Sequence, residues 1–99
     1  MIYYQDDNFK LEYNNLLGEI FIHCDVTNWK TSSFKKGLEV FNSFIQYQYE
    51  LGKTRLITVT PNPKFARLLG GSFKEKIIKD GKEYEVYVWE LKSFLEQRV

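Results

Sequence analysis

A mixed α+β fold, with a single mixed sheet of about six strands and two helices, is what this sequence predicts. Three observations carry that expectation. Glu19-Ile20-Phe21-Ile22-His23-Cys24-Asp25-Val26 reads as a buried strand, and Leu56-Ile57-Thr58-Val59-Thr60 reads as a second. Between them Phe34, Leu38, Phe41, Phe44, Ile45, Gln48 and Leu51 recur at three- and four-residue steps, which is one apolar stripe of a helix. A strand, a helix and a strand of these lengths form a crossover unit, with two parallel neighbours and the helix on one face. Finally, Asp80-Gly81 separates two strand-like runs, and Asp-Gly is a strong hairpin turn signal.

Taken in order, Ile2-Tyr3-Tyr4-Gln5 is rich in strand formers and Asp6-Asp7-Asn8 reads as a turn. Phe9 to Tyr13 is a further strand, Asn14-Asn15 a further turn, and Leu16 to Val26 the central strand. Thr27 to Lys30 is a polar loop carrying Trp29. The long helix runs from about Ser33 to Leu51, with Thr31, Ser32 and Ser33 offering N-cap oxygens and Gly52 a left-handed stop. After the Thr54–Thr60 strand, Pro61-Asn62-Pro63 ends the sheet run. Pro63 suits the first turn of a short helix over Lys64 to Leu69, which Gly70-Gly71 closes. Phe73 to Ile78 and Glu83 to Leu91 are the hairpin strands, and Lys92 to Val99 adds a terminal helical turn or two or frays.

With 99 residues and no linker or repeat, residues 1–99 are most simply one domain. Aromatic residues make up 17% of the chain, which points to dense packing or to a sticky face. The net charge of +1 comes from interspersed acids and bases, so no field favours nucleic acid or an anionic membrane surface. No apolar run approaches the roughly 20 residues of a membrane span. Cys24 is the only cysteine, so no intrachain disulfide forms, and a reducing cytoplasmic setting is expected.

Alternation along the central strand puts Ile20, Ile22, Cys24 and Val26 on the face beneath the long helix. Glu19, Phe21, His23 and Asp25 take the other. An acid, a histidine and an acid in line are unusual there. His23 could act as a general base, since its ordinary pKa lies near neutrality. Glu19 and His23 could equally be solvated on an uncovered face or paired with lysines. A metal site on His23, Asp25 and Cys24 fails, because Cys24 points to the opposite face; no metal is expected. Asn62 could hydrogen-bond a ligand or simply cap the short helix.

The order strand, strand, strand, helix, strand, helix, strand, strand resembles the GNAT (Gcn5-related N-acetyltransferase) fold from its second strand onward. The residues that carry the resemblance are Gly18-Glu19-Ile20-Phe21-Ile22 and Asn62-Pro63-Lys64-Phe65-Ala66-Arg67-Leu68-Leu69-Gly70-Gly71-Ser72-Phe73. The chain is similar in particular to short GNAT-like proteins of tailed bacteriophages, which implies a host-cytoplasmic or virion location. The resemblance implies an acyl-coenzyme A N-acyltransferase homologue that takes acetyl-CoA. Its pantetheine would lie between the Glu19–Val26 and Thr54–Thr60 strands, beside Val26 and Asn62. The pyrophosphate would meet Lys30, Thr31, Ser32 and Ser33 at the start of the long helix, and Glu19 would be the general base.

Three positions depart from the family pattern. Asn28 to Lys35 has no glycine where the family's phosphate loop needs one for close backbone approach. Leu69 stands near the place of a proton-donating tyrosine. The first strand and two helices that cover one sheet face have no counterpart. The missing glycine favours a non-catalytic binding module, such as a phage structural or host-interaction protein, whereas Glu19 favours catalysis. The uncovered sheet face implies a homodimer or a protein partner. Tyr84, Val86 and Val88 share one side of the last strand and Tyr87, Trp89 and Leu91 the other, with Phe21 adding to the open side.

Overall fold

The computed structural model describes residues 1–27 and 30–97. Asn28 and Trp29, of the expected polar loop, and Arg98 and Val99, of the expected terminal turn, lie outside the described residues. The elements are β1 (Ile2–Gln5), β2 (Phe9–Leu16), β3 (Glu19–Val26), α1 (Thr31–Glu50), β4 (Arg55–Thr60), α2 (Lys64–Leu68), β5 (Ser72–Lys79), β6 (Lys82–Glu90) and α3 (Leu91–Glu96). One mixed sheet has the order β1-β2-β3-β4-β6-β5, parallel between β3 and β4 and antiparallel elsewhere. The expected fold class holds, with a third helix added at the C-terminal end.

Two turns locate the hairpins. Asp80 (φ 52°) and Gly81 (φ 75°) form the expected Asp-Gly turn. The first hairpin turns later than expected. Asn14 and Asn15 are strand residues paired with Phe21 and Ile20, and the chain reverses at Leu17 (φ 54°) and Gly18 (φ 80°). The reason is that a two-residue hairpin turn with both φ positive requires a glycine more strongly than asparagine requires a turn.

The long helix also differs from the expected one. Its N-cap is Lys30, with no side-chain capping bond, and Thr31, Ser32 and Ser33 are already its first helical residues. The buried face is Ser33, Gly37, Val40, Phe41, Phe44, Ile45 and Gln48, whereas Leu51 is exposed. The stripe is therefore rotated from the expected one, because Gly37 permits close approach. A Cβ there would touch Phe65 at 3.4 Å and Phe9 at 3.7 Å. At the other end Gly52 takes φ +85°, and Lys53 N–H bonds the Gln48 carbonyl, a left-handed stop as expected.

All three helices pack on one side of the sheet. Phe41 meets Trp89 (ring centroids 5.2 Å), Phe44 meets Tyr13 (5.1 Å), Phe65 meets Phe9 (5.6 Å) and Phe94 meets Phe41 (6.2 Å). Strand register places Phe9, Ile22, Thr58 and Tyr87 on this face. Tyr87 and Trp89 are thus covered by the chain's own helices. Two side-chain bonds fasten α2 above the sheet: Trp89 Nε1 donates to the Leu69 carbonyl at 3.1 Å, and Arg67 Nε to the Tyr87 hydroxyl at 2.7 Å.

Gly71 sits where this layer is tightest. A Cβ there would stand 2.9 Å from Trp89 Cζ2 and 3.1 Å from the Ala66 carbonyl oxygen. Neither the buried indole nor the backbone can yield cheaply, so Gly71→Ala should destabilise the fold by about 1–3 kcal/mol in urea unfolding.

Candidate functional site

The site starts from a gap in the sheet. Among the described residues, β3 and β4 pair at Ile20↔Leu56 and Phe21↔Ile57, and the register then stops although both strands continue. Where the register stops, Thr58 Oγ1 donates to the Ile22 carbonyl at 2.9 Å, the acceptor that the Val59 N–H would take in a continued parallel ladder.

Backbone alternation then fixes what faces the gap. Thr27 N–H bonds the Asn8 carbonyl, so odd-numbered β3 residues direct their peptide groups to β2 and even-numbered ones toward β4. Leu91 N–H bonds the Thr54 carbonyl, so even-numbered β4 residues address β6 and odd-numbered ones β3. Cys24, Val26 and Val59 therefore turn their N–H and C=O groups into the gap, where no strand pairs with them. The resulting cleft is lined by Ile22, His23, Cys24, Thr58, Thr60 and Asn62, with Phe65, Ala66, Leu69 and Trp89 as its roof and wall. Its volume is about 30 Å³, room for one or two water molecules.

At the mouth of this cleft β3 leads toward the N-terminus of α1. That end has no side-chain cap and no acidic residue in its first turn, an arrangement open to an anion. Ser33 is 7% exposed, and its Oγ has no hydrogen-bond partner among the described residues. One helical turn before Gly37, it shares the face that meets Phe9 and Phe65. Lys30, Thr31 and Ser32 are exposed beside it. Lys36 lies over the Tyr4 ring, 5.4 Å from its centroid.

The two expected acid–base residues are placed differently. Glu19 stands on the face opposite the helices, four residues before His23 and about 13 Å along the strand from it. Both of its carboxylate oxygens accept from Arg55, Nε to Oε2 and Nη2 to Oε1, each at 2.9 Å. The Arg55 hydrogen bonds hold its carboxyl below the usual glutamate range, which makes it a weaker base. Its partner is an arginine, where the sequence suggested lysines. His23 lies on the same face, Nε2 3.0 Å from Asp25 Oδ1, with both side chains more than half exposed. Cys24, half-buried on the helix side, has its thiol pushed up to about 12 by burial first and by Asp25 second, so it stays protonated at neutral pH.

Asn62 lines the cleft but is not the cap of α2, whose N-cap is Pro63 without a side-chain bond. Its backbone N–H donates to Thr60 Oγ1 at 3.1 Å. The structure thus brings Asn62 to the cleft, which His23 borders with its side chain on the opposite face, sets Lys30 to Ser33 at the start of α1, and leaves Glu19 outside. Thr58, which sequence reading missed, bonds the Ile22 carbonyl where the strands part. A buried threonine in a strand gives no signal of this kind until the register is known. Among the described residues no cluster of three or more His, Cys, Asp or Glu has the geometry to hold a metal ion. No helix of the described residues is long and apolar enough to cross a membrane.

The Glu19–Arg55 pair gives a direct titration test. A carboxyl whose folded pKa is lowered contributes stability above its unfolded pKa and loses it as pH falls through the folded value. Arg55→Met should return Glu19 to the ordinary glutamate range in a carbon-detected NMR titration and should remove that acid-side dependence. An unchanged Glu19 midpoint would show that the arginine does not set it. Set against protein-family models and against curated proteins, the chain finds no match.

Proposed function

We propose that this protein is a minimal GNAT-like acyl-coenzyme A N-acyltransferase homologue in which ligand binding is better provided for than turnover. The observation that carries the reading is the parted β3–β4 pair. The peptide groups of Cys24, Val26 and Val59, which face the gap beyond the β3–β4 register of the described residues, suit an extended arm that carries amides of its own, as pantetheine does. The orphan Ser33 hydroxyl and the uncapped start of α1 suit a phosphate at the cleft mouth, which supports assigning Lys30, Thr31, Ser32 and Ser33 to the nucleotide end. Asn62 would then meet the arm along the wall. At about 30 Å³ the cleft admits an arm only if Phe65 and Leu69 draw aside, so affinity is expected to be modest.

Acetyl-CoA would supply the activated acyl group. For transfer to an amine, the amine must lose a proton as the C–N bond forms and the C–S bond breaks. Glu19, tied to Arg55 with both oxygens, is poorly disposed to take that proton, and His23 is the more accessible base on that face. Cys24, protonated and half-buried, is unsuited to a covalent acyl intermediate.

A second reading is favoured by a separate observation. The sheet face opposite the helices carries the partly exposed Phe21, Ile57 and Val86, with Val59 38% exposed beside them, which supports a non-catalytic binding module using that face for a protein partner or a second copy.

Calorimetric titration with acetyl-CoA tests the first reading. Weak binding is expected, together with a raised melting temperature, and Ser32→Asp, at an exposed position of the same first turn, should abolish both by placing negative charge beside the phosphate position. No heat and no shift at millimolar acetyl-CoA would remove the ligand and leave the binding-module reading.

A further inference from the structure

Helix α2 is attached to the rest of the molecule in a way that lets it move as one piece. Among the described residues, the backbone hydrogen bonds of residues 63–71 close within that stretch. Arg67 N–H bonds the Pro63 carbonyl and Leu69 N–H the Phe65 carbonyl, each at 3.0 Å, while Gly71 N–H bonds the Ala66 carbonyl at 2.9 Å. A turn at Gly70 (φ +83°) then leads out of the segment. Its polar ties to the sheet run through side chains, and the strongest is a closed triangle. Arg67 Nε donates to the Tyr87 hydroxyl at 2.7 Å, and that hydroxyl donates to Glu85 Oε1 at 2.8 Å. Arg67 Nη2 donates to the same carboxylate oxygen at 3.1 Å. The Arg67 side chain is 62% exposed, so water competes for the triangle from outside. On the inner side of the same segment, Phe65, Ala66 and Leu69 roof the cleft that Cys24 lines from below.

We propose that α2 is a latched lid: residues 63–71 lift as a unit off the β3–β4 cleft, and the Arg67–Tyr87–Glu85 triangle sets how often they do so. The proposal rests on the cleft described above, whichever ligand enters it. Closed, at about 30 Å³, the cleft admits nothing larger than water. Entry of an arm requires Phe65 and Leu69 to draw aside, and lifting the segment withdraws both together without breaking a sheet bond. The latch is placed to join lid and frame. Tyr87 and Glu85 belong to β6, which is paired by β4 on one side and β5 on the other, so they stay with the sheet while Arg67 leaves with the lid. Water can replace each bond of the triangle when it opens, so the latch shifts the opening equilibrium by a modest factor instead of locking it. Opening also gives up the Trp89 indole bond to the Leu69 carbonyl and the packing of Phe65 on Phe9, which keeps the open form a minor, local excursion.

Cys24, the only cysteine of the chain, reports the opening. Its thiol lies beneath the lid and is pushed up to about 12, chiefly by burial, so it reacts slowly while the cleft is shut. The test is the rate at which N-ethylmaleimide modifies Cys24 in the full chain, followed from zero urea to just below the unfolding transition. The wild type should react slowly and at a rate nearly flat in low urea, because a local opening exposes little new surface. Tyr87→Phe and Arg67→Met should each react roughly tenfold faster with the same flat dependence. Arg67→Met, at an exposed side chain, carries the test if Tyr87→Phe does not fold. A rate that climbs with urea as steeply as global unfolding does would overturn the lid, since only unfolding would then expose the thiol. A rate that neither variant changes would overturn it too: if fast, α2 does not cover Cys24, and if slow, the triangle is no latch. No acetyl-CoA enters the measurement, so a failure of that ligand to bind leaves its outcome untouched.

Discussion

The hydroxyl of Thr58, bonded to the carbonyl of Ile22, is the contact on which the rest of this structure turns. Parallel strands that begin a ladder normally extend it, because each further pair satisfies two more peptide groups. Here the side chain takes the next acceptor and the ladder ends after Phe21↔Ile57. The strands diverge, α2 settles over the gap through Trp89 and Arg67, and the peptide groups of Cys24, Val26 and Val59 are left without a strand opposite them. Leaving such groups unpaired is costly in a folded protein, and sites that bind ligands are where the cost recurs.

The second constraint is that burial is one-sided. With all three helices on one face, the aromatic residues divide by the parity of their strand positions. Phe9, Tyr13, Tyr87 and Trp89 are enclosed by Phe41, Phe44 and Phe65, while Phe21 and Tyr84 remain on the bare face. The same parity separates chemistry. Cys24 is taken toward the core and its thiol is raised, whereas Glu19, His23 and Asp25 are put on the open face, each with a partner. Thus the acidic and basic residues that look catalytic in sequence stand on the open face, and the cleft itself is built mainly from backbone, threonine and apolar side chains.

Much of the fold was legible because its signals are local. The Asp80-Gly81 turn, the Gly52 stop and the strand–helix–strand unit each rest on a few adjacent residues with one favourable geometry. What was not legible depends on tertiary contact. The rotation of α1 follows from Gly37 meeting Phe65, and the later hairpin turn follows from the positive φ available at Gly18. The site was less legible still. The alternation of β3 correctly separated Cys24 from His23, but the pairing of Glu19 with Arg55 joins residues 36 apart and needs the parallel register to be known. Thr58 was invisible for the same reason.

Amide hydrogen exchange of the free protein, read residue by residue, tests most directly whether the strands part as described. Cys24, Val26 and Val59 should exchange with little protection, while His23 and Asp25, whose peptide groups face β2, should be protected like the rest of the sheet. Addition of an occupant of the cleft should slow the first set and leave the second unchanged. Strong protection of Cys24 and Val59 in the free protein would mean that the ladder closes in solution, which would contradict the cleft and the function built on it.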